Sequence, residues 1–207
     1  MNISHILSLG PVMPVIVIEQ ADLALPLGEA LLAGGIKTIE ITLRTNAALN
    51  AIERLAKELP EIHVGAGTIL SHENAKQAFN AGAQFGVSPG TTNSIIKACG
   101  DYKLPLLPGA STVSEMLRLN EVGFSEMKFF PASAAGGSQF IKSLASPLPN
   151  LQFCPTGGIT YETAPNWLSL ENVRCVGGSW IAPAKDINEH NFSLITSRAE
   201  QACKLEN

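Results

Sequence analysis

Lys128 lies inside the run Glu126-Met-Lys-Phe-Phe-Pro131, among the apolar neighbours Met127, Phe129, Phe130 and Pro131. Lysine is almost never fully buried unless it is paired or used. An amine held among apolar groups is biased toward its uncharged form, and an uncharged amine attacks carbonyl carbon. The implied chemistry is covalent: an imine with a keto group, whose positive charge acts as the electron sink. Glu40 and Arg44 are candidates for the remaining tasks. In Ile39-Glu40-Ile41-Thr42-Leu43-Arg44 the odd positions are aliphatic. Alternate strand residues share a face, so Glu40, Thr42 and Arg44 are expected together on the opposite one. A glutamate between two isoleucines is costly unless partnered. It is either a proton-transfer group or half of an internal ion pair that only fixes the core. Arg44 stands at the carboxyl end of the same run, with a planar fork that matches a carboxylate.

Other runs end in residues that can shape a pocket. Val64-Gly-Ala-Gly-Thr68 closes on small residues and a hydroxyl, which suits either close approach of a ligand or tight interior packing. Ser88-Pro89-Gly90 and Pro108-Gly109 border a pocket mouth or serve as turn punctuation. Thr156-Gly157-Gly158 and Gly177-Gly178-Ser179 end the last two runs, and Gly136-Gly137 follows the sixth. Backbone N–H groups at such glycine pairs can hold a phosphate, as they do after the last strands of many barrels. No Walker sequence is present. His5, His63, His72 and His190 are scattered without ligand spacing and read as surface or helix-end residues, so no metal is expected.

Eight short apolar runs must carry these groups: Val12–Ile18, Thr38–Leu43, His63–Ile69, Phe85–Pro89, Leu104–Gly109, Glu126–Pro131, Leu151–Gly158 and Val173–Trp180. Helical patterns such as Leu23/Leu27/Ala30/Leu31 and Leu49/Ile52/Leu55/Ala56 lie between them. Ser71-His-Glu-Asn74 and Ser111-Thr-Val-Ser-Glu115 read as helix starts. Strands alternating with helices predict a parallel α/β fold. An open doubly wound sheet would usually carry a glycine fingerprint after its first strand, whereas Val12–Ile18 is followed by Glu19-Gln20-Ala21-Asp22. The expectation is therefore one (β/α)₈ TIM barrel domain over residues 1–207. A short extra N-terminal helix, Ile3–Leu9, plugs its bottom, and a last helix covers Asn191–Leu205.

With 45% hydrophobic and 15% charged residues, the chain is globular and not disordered. A net charge of −4 and the lack of any Lys/Arg block argue against nucleic acid as a partner. No run reaches membrane-spanning length, and the N-terminus does not look like a signal peptide. Cys99, Cys154, Cys175 and Cys203 lack any CxxC spacing and read as reduced thiols of a cytoplasmic protein.

Taken together, several segments resemble the 2-keto-3-deoxy-6-phosphogluconate (KDPG) aldolase family, which also covers 4-hydroxy-2-oxoglutarate (KHG) aldolases. They are Pro11-Val-Met-Pro-Val-Ile16, Gly34-Gly-Ile-Lys-Thr-Ile-Glu-Ile-Thr-Leu-Arg-Thr45, Val64-Gly-Ala-Gly-Thr68, Lys128-Phe-Phe-Pro131, Cys154-Pro-Thr-Gly-Gly-Ile159 and Gly177-Gly-Ser-Trp180. The resemblance implies a class I aldolase on a (β/α)₈ barrel, commonly a homotrimer, that needs no cofactor. It acts on a phosphorylated keto acid and releases pyruvate. It implies Lys128 as the Schiff-base lysine and Glu40 as the proton-transferring carboxylate. Arg44, Thr68, Pro89, Phe130 and Thr156 are then expected at the substrate, and Gly157, Gly158, Gly178 and Ser179 at the phosphate. Many relatives carry an acidic residue where this chain has Ser133, so the loop from Ser133 to Gly137 departs from the pattern. Three other readings stay open at this point. They are an aldolase for the C4-epimeric galactonate-derived substrate, a sugar-phosphate isomerase or epimerase with Glu40 as base, and a non-catalytic barrel that binds a phosphorylated metabolite.

Overall fold

A computed structural model describes residues 2–205. Its strands are β1 (Val12–Ile16), β2 (Thr38–Thr42), β3 (His63–Gly67), β4 (Phe85–Val87), β5 (Leu106–Leu107), β6 (Gly109–Ala110), β7 (Glu126–Phe129), β8 (Gln152–Pro155) and β9 (Val176–Gly178). Every pairing is parallel, in one sheet of order β5-β4-β3-β2-β1-β9 and another of order β6-β7-β8. The result is a curled parallel sheet. Nine strands appear where eight runs were read because Pro108 divides the fifth. Proline has no N–H to donate to a ladder. The first half of that run pairs with β4 and the second half with β7. The Pro108 carbonyl still accepts from the Lys128 N–H at 2.9 Å. Single parallel bridges, Phe153 with Val173 and Thr156 with Gly177, run between the β8 and β9 segments.

The helices are α1 (Ile3–Leu7), α2 (Ala24–Ala33), α3 (Ala48–Glu58), α4 (His72–Asn80), α5 (Asn93–Asp101), α6 (Val113–Glu121), α7 (Gly137–Leu144), α8 (Ala164–Leu168), α9 (Ala184–Asn188) and α10 (Phe192–Cys203). Local chemistry explains two of their starts. The Ser71 hydroxyl accepts from the Asn74 N–H at α4. Thr112 and Glu115 close a reciprocal capping box at α6, so the helix is capped by Thr112 and not by Ser111. Leu27, Ala30 and Leu31 on α2 are buried, as are Ile52 and Leu55 on α3. Leu49 and Ala56 are only partly covered, and Ala48 and Ala51 take their places in the core. The last helix is shorter than its pattern suggested, with Asn191 at its cap.

Two apolar layers hold the fold. The larger fills the space between sheet and helices. The smaller lies on the concave side of the sheet, where Ile3, Ile6 and Leu7 of α1 pack with Met13, Phe85, Val87, Leu107, Cys154 and Cys175. The short first helix, which ends at Leu7 and not at Leu9, thus covers the floor beneath the concave face. His63 departs from the surface role read for it. It opens β3 partly buried, with Nδ1 2.7 Å from the Gln84 Oε1.

Candidate active site

Most strands stop short of the apolar run that announced them, and several of the residues just beyond their ends carry polar groups, such as Arg44 after β2 and Thr68 after β3. Alternation along β2 puts Ile39 and Ile41 into the outer core, while Glu40 and Thr42 turn to the concave face. Alternation along β7 does the same for Lys128 between Met127 and Phe129. β2 and β7 are not neighbours, so the two side chains meet across the concavity. Lys128 Nζ lies 3.1 Å from Glu40 Oε1 and 3.2 Å from Oε2. Only 5% and 2% of the two side chains is exposed. At 3.1 Å, opposite charges attract by about 5 kcal/mol with an effective dielectric near 20. The Phe130 ring, two residues on and on the same face, lies 5.7 Å from Nζ.

Beneath this pair the floor is apolar. Cys154, the register neighbour of Lys128, lies 3.5 Å from Cys175 between their sulfurs. The hydrogen bond to Cys154, and then burial, hold the Cys175 thiol well above the ordinary thiol range. Both thiols are free and buried.

Above the pair opens a cavity of about 130 Å³. Lys128, Phe130, Thr156, Gly157, Gly158, Arg44 and Ser179 line it, seven of the residues expected from sequence. Arg44 stands two residues beyond the end of β2, not within the strand. Its Nε donates to the Thr68 hydroxyl at 3.0 Å, which aims the guanidinium. Thr68 supports the wall through Arg44 and has a left-handed backbone, φ +63°. A β-branched residue there is strained unless its surroundings hold it. Glu40 lies behind Lys128 and is not on the cavity wall. Pro89 and Gly178 are also off the wall. The Pro89 backbone packs against Gly109, and the carbon of Gly178 faces the Trp180 ring.

Four wall residues were not singled out as pocket residues: Val15, Val17, Ile159 and Gly177, the last read only as half of a glycine pair. The period-2 signal was available for three of them. Val15 and Val17 share a face with the interior Met13, and Gly177 alternates with Cys175 and Ser179. A β-carbon on Gly177 would fall 2.2 Å from the Thr156 hydroxyl oxygen, so its bareness keeps Thr156 in the cavity. Gly157 and Gly158 have left-handed φ of +106° and +75°, a backbone that turns successive N–H groups around a loop.

The arrangement provides a buried amine with a carboxylate in hydrogen-bond reach, an arginine at the mouth, and a glycine loop with a nearby serine. It can form an imine, move a proton and hold two anionic groups. Among the described residues, no three His, Cys, Asp or Glu side chains gather as a metal cluster. No helix among them is long and apolar enough to cross a membrane.

The chain is similar to known aldolases over nearly its whole length. Residues 3–198 match the model of the aldolase family described as KDPG and KHG aldolase. The KHG/KDPG aldolase of Escherichia coli K12 is 45% identical over 197 residues, covering 95% of this chain and 92% of that protein. The KDPG aldolase of Legionella pneumophila, with pyruvate captured at low pH as a covalent carbinolamine intermediate, superposes with a TM-score of 0.93. It is 43% identical, over 96% of this chain and 97% of that one. The 2-keto-3-deoxy-6-phosphogluconate aldolase of Zymomonas mobilis superposes equally well, TM-score 0.93, at 42% identity over 100% and 98% of the two chains.

Proposed function

Because this chain belongs to the KDPG and KHG aldolase family, we infer that it is a Schiff-base aldolase. It reversibly cleaves 2-keto-3-deoxy-6-phosphogluconate to pyruvate and D-glyceraldehyde 3-phosphate. The observation that carries this reading is the buried Lys128 amine held by both Glu40 oxygens, at 3.1 and 3.2 Å, beneath a cavity that Arg44 borders. The carbinolamine captured in the Legionella relative supports the same covalent route here.

In the proposed cycle Lys128 passes a proton to Glu40, and its nitrogen attacks C2 of the keto acid. The carbonyl oxygen takes up one proton from that nitrogen and the one held by Glu40 and leaves as water, giving an iminium and restoring the Glu40 carboxylate. Glu40, through water or directly, accepts the C4 hydroxyl proton, the C3–C4 bond breaks, and its electron pair moves into the iminium. D-Glyceraldehyde 3-phosphate departs and an enamine of pyruvate remains. Glu40 returns a proton to C3, and water releases pyruvate and the Lys128 ammonium with which the cycle began. Arg44 holds the C1 carboxylate by a two-point contact. Thr156 and Phe130 flank the chain of the substrate, and Gly157, Gly158 and Ser179 hold the phosphate. Pro89, whose backbone packs against Gly109, and Gly178, which faces the Trp180 ring, belong to the surrounding frame. Cleavage of unphosphorylated 4-hydroxy-2-oxoglutarate follows from the same bond-breaking centre.

We read the curled sheet as a (β/α)₈ barrel forming one domain. The divided fifth strand, which pairs to both sides, and the bridges between the β8 and β9 segments support closure. A homotrimer in the cytoplasm is part of the same proposal and rests on the family likeness. Sedimentation velocity tests the trimer.

The test of function is steady-state cleavage, followed through pyruvate release. KDPG should be turned over, and Lys128→Ala should abolish it. kcat/KM for KDPG should exceed that for its C4 epimer and for 4-hydroxy-2-oxoglutarate. Near-normal cleavage by Lys128→Ala would defeat the reading.

A further inference from the structure

We propose that Gly67 is a positioning residue for Glu40. The missing side chain at residue 67 sets the place of the carboxylate under Lys128. Glu40 pairs in register with Gly65 on β3, and Thr42 pairs with Gly67. The Glu40 side chain therefore reaches diagonally along the neighbouring strand, over Gly67, toward the open end of the sheet. A β-carbon on Gly67 would lie 2.1 Å from Glu40 Oε1 and 2.7 Å from both Cδ and Cγ. Real β-carbons essentially never come within 3.0 Å of another heavy atom. All three nearest atoms belong to Glu40 beyond its own β-carbon. Gly67 is thus the bed on which the carboxylate lies, and a methyl there would lift the carboxylate off it. The contacts of 3.1 and 3.2 Å to Lys128 could not then both survive. Glycine in a strand interior weakens the strand and often marks a close approach, here that of a reacting group.

This inference rests on the aldolase reading, and the test separates the two. In D₂O the unaltered protein should exchange the pyruvate methyl protons through the enamine, read by ¹H NMR. Gly67→Ala should still be trapped on Lys128 by pyruvate and borohydride. Its exchange rate and its kcat for KDPG should fall by at least about 100-fold, the lower range for loss of a general acid–base. In a Glu40→Ala background the clash is gone, so adding Gly67→Ala should change exchange by less than about threefold. It should also lower the melting temperature far less there than it does beside the intact glutamate. That melting comparison decides the matter even where Gly67→Ala alone fails to fold. Exchange by Gly67→Ala near the unaltered rate would overturn the inference and leave the aldolase reading standing. So would an equal loss of stability with and without the Glu40 carboxylate. Absence of exchange in the unaltered protein would overturn both.

Discussion

Removing Lys128 should cost stability as well as activity, and removing its partner at the same time should restore stability. Lys128→Met leaves Glu40, 2% exposed, without its ammonium. The pair attracts by about 5 kcal/mol at an effective dielectric near 20, and stranding one buried charge typically costs about 3–5 kcal/mol. For a chain of this size that lowers the melting temperature by roughly 6–20 °C. Glu40→Leu alone strands Lys128 and should cost a similar amount. The double variant Lys128→Met/Glu40→Leu fills the same space with apolar atoms. It should return to within about 1 kcal/mol of the parent or exceed it, because a buried ion pair seldom outperforms a well-packed apolar one. Equilibrium urea unfolding followed by the fluorescence of Trp167 and Trp180 measures all four proteins. The double variant should be inactive and stable, which would show that the pair is kept for chemistry. A single substitution costing less than about 1 kcal/mol, or a double variant less stable than both singles, would refute the reasoning.

Thr68→Val removes the acceptor of the Arg44 Nε. Since hydrogen bonds to charged groups are worth about 1.5–3 kcal/mol, KM for KDPG should rise roughly tenfold or more while kcat stays within about threefold. Unchanged steady-state constants would count against Thr68 as the aiming group. Gly177→Ala would press a methyl onto Thr156, and kcat/KM should drop by at least about tenfold from loss of cavity shape alone. Ser179→Ala should lower kcat/KM for KDPG by about tenfold and leave 4-hydroxy-2-oxoglutarate within about threefold, if its hydroxyl reads the phosphate. An equal loss on both substrates would remove that role. Burial pushes the Cys99 thiol up to about 11 and raises that of Cys203, and Cys175 lies well above the usual range. The reactive thiolate is therefore scarce at pH 8 and grows as pH rises. A disulfide reagent should label only exposed Cys203, slowly and faster at higher pH, and all four thiols in urea. Rapid labelling of two or more in the native state would contradict the buried placement.

Much of this was legible in the sequence because period-2 alternation sorts a strand without help from tertiary structure. Ile39 and Ile41 flanking Glu40 assigned that carboxylate, with Thr42 and Arg44, to the face opposite the aliphatic residues before any contact was known. Lys128 itself stood out because a lone lysine in an apolar run has few structural uses. The division of the fifth strand at Pro108, where one apolar run serves two neighbours, was not legible. Run length cannot reveal a change of pairing partner. The side chains that Gly67 and Gly177 accommodate were not legible, since which side chain crosses over a glycine depends on register with another strand. Pro89 and Gly178 looked like pocket residues from their place at strand ends, but whether a residue at such an end faces the cavity depends on the twist of the backbone there. His63 was misread because its partner, Gln84, lies 21 residues further along the chain.

The most direct measurement is mass spectrometry of the protein after incubation with pyruvate and borohydride. The reduced adduct should sit on the peptide that carries Lys128 and on no other lysine, and Lys128→Ala should take up none. An adduct on a different lysine, or no adduct while KDPG is still cleaved, would contradict the account at its centre.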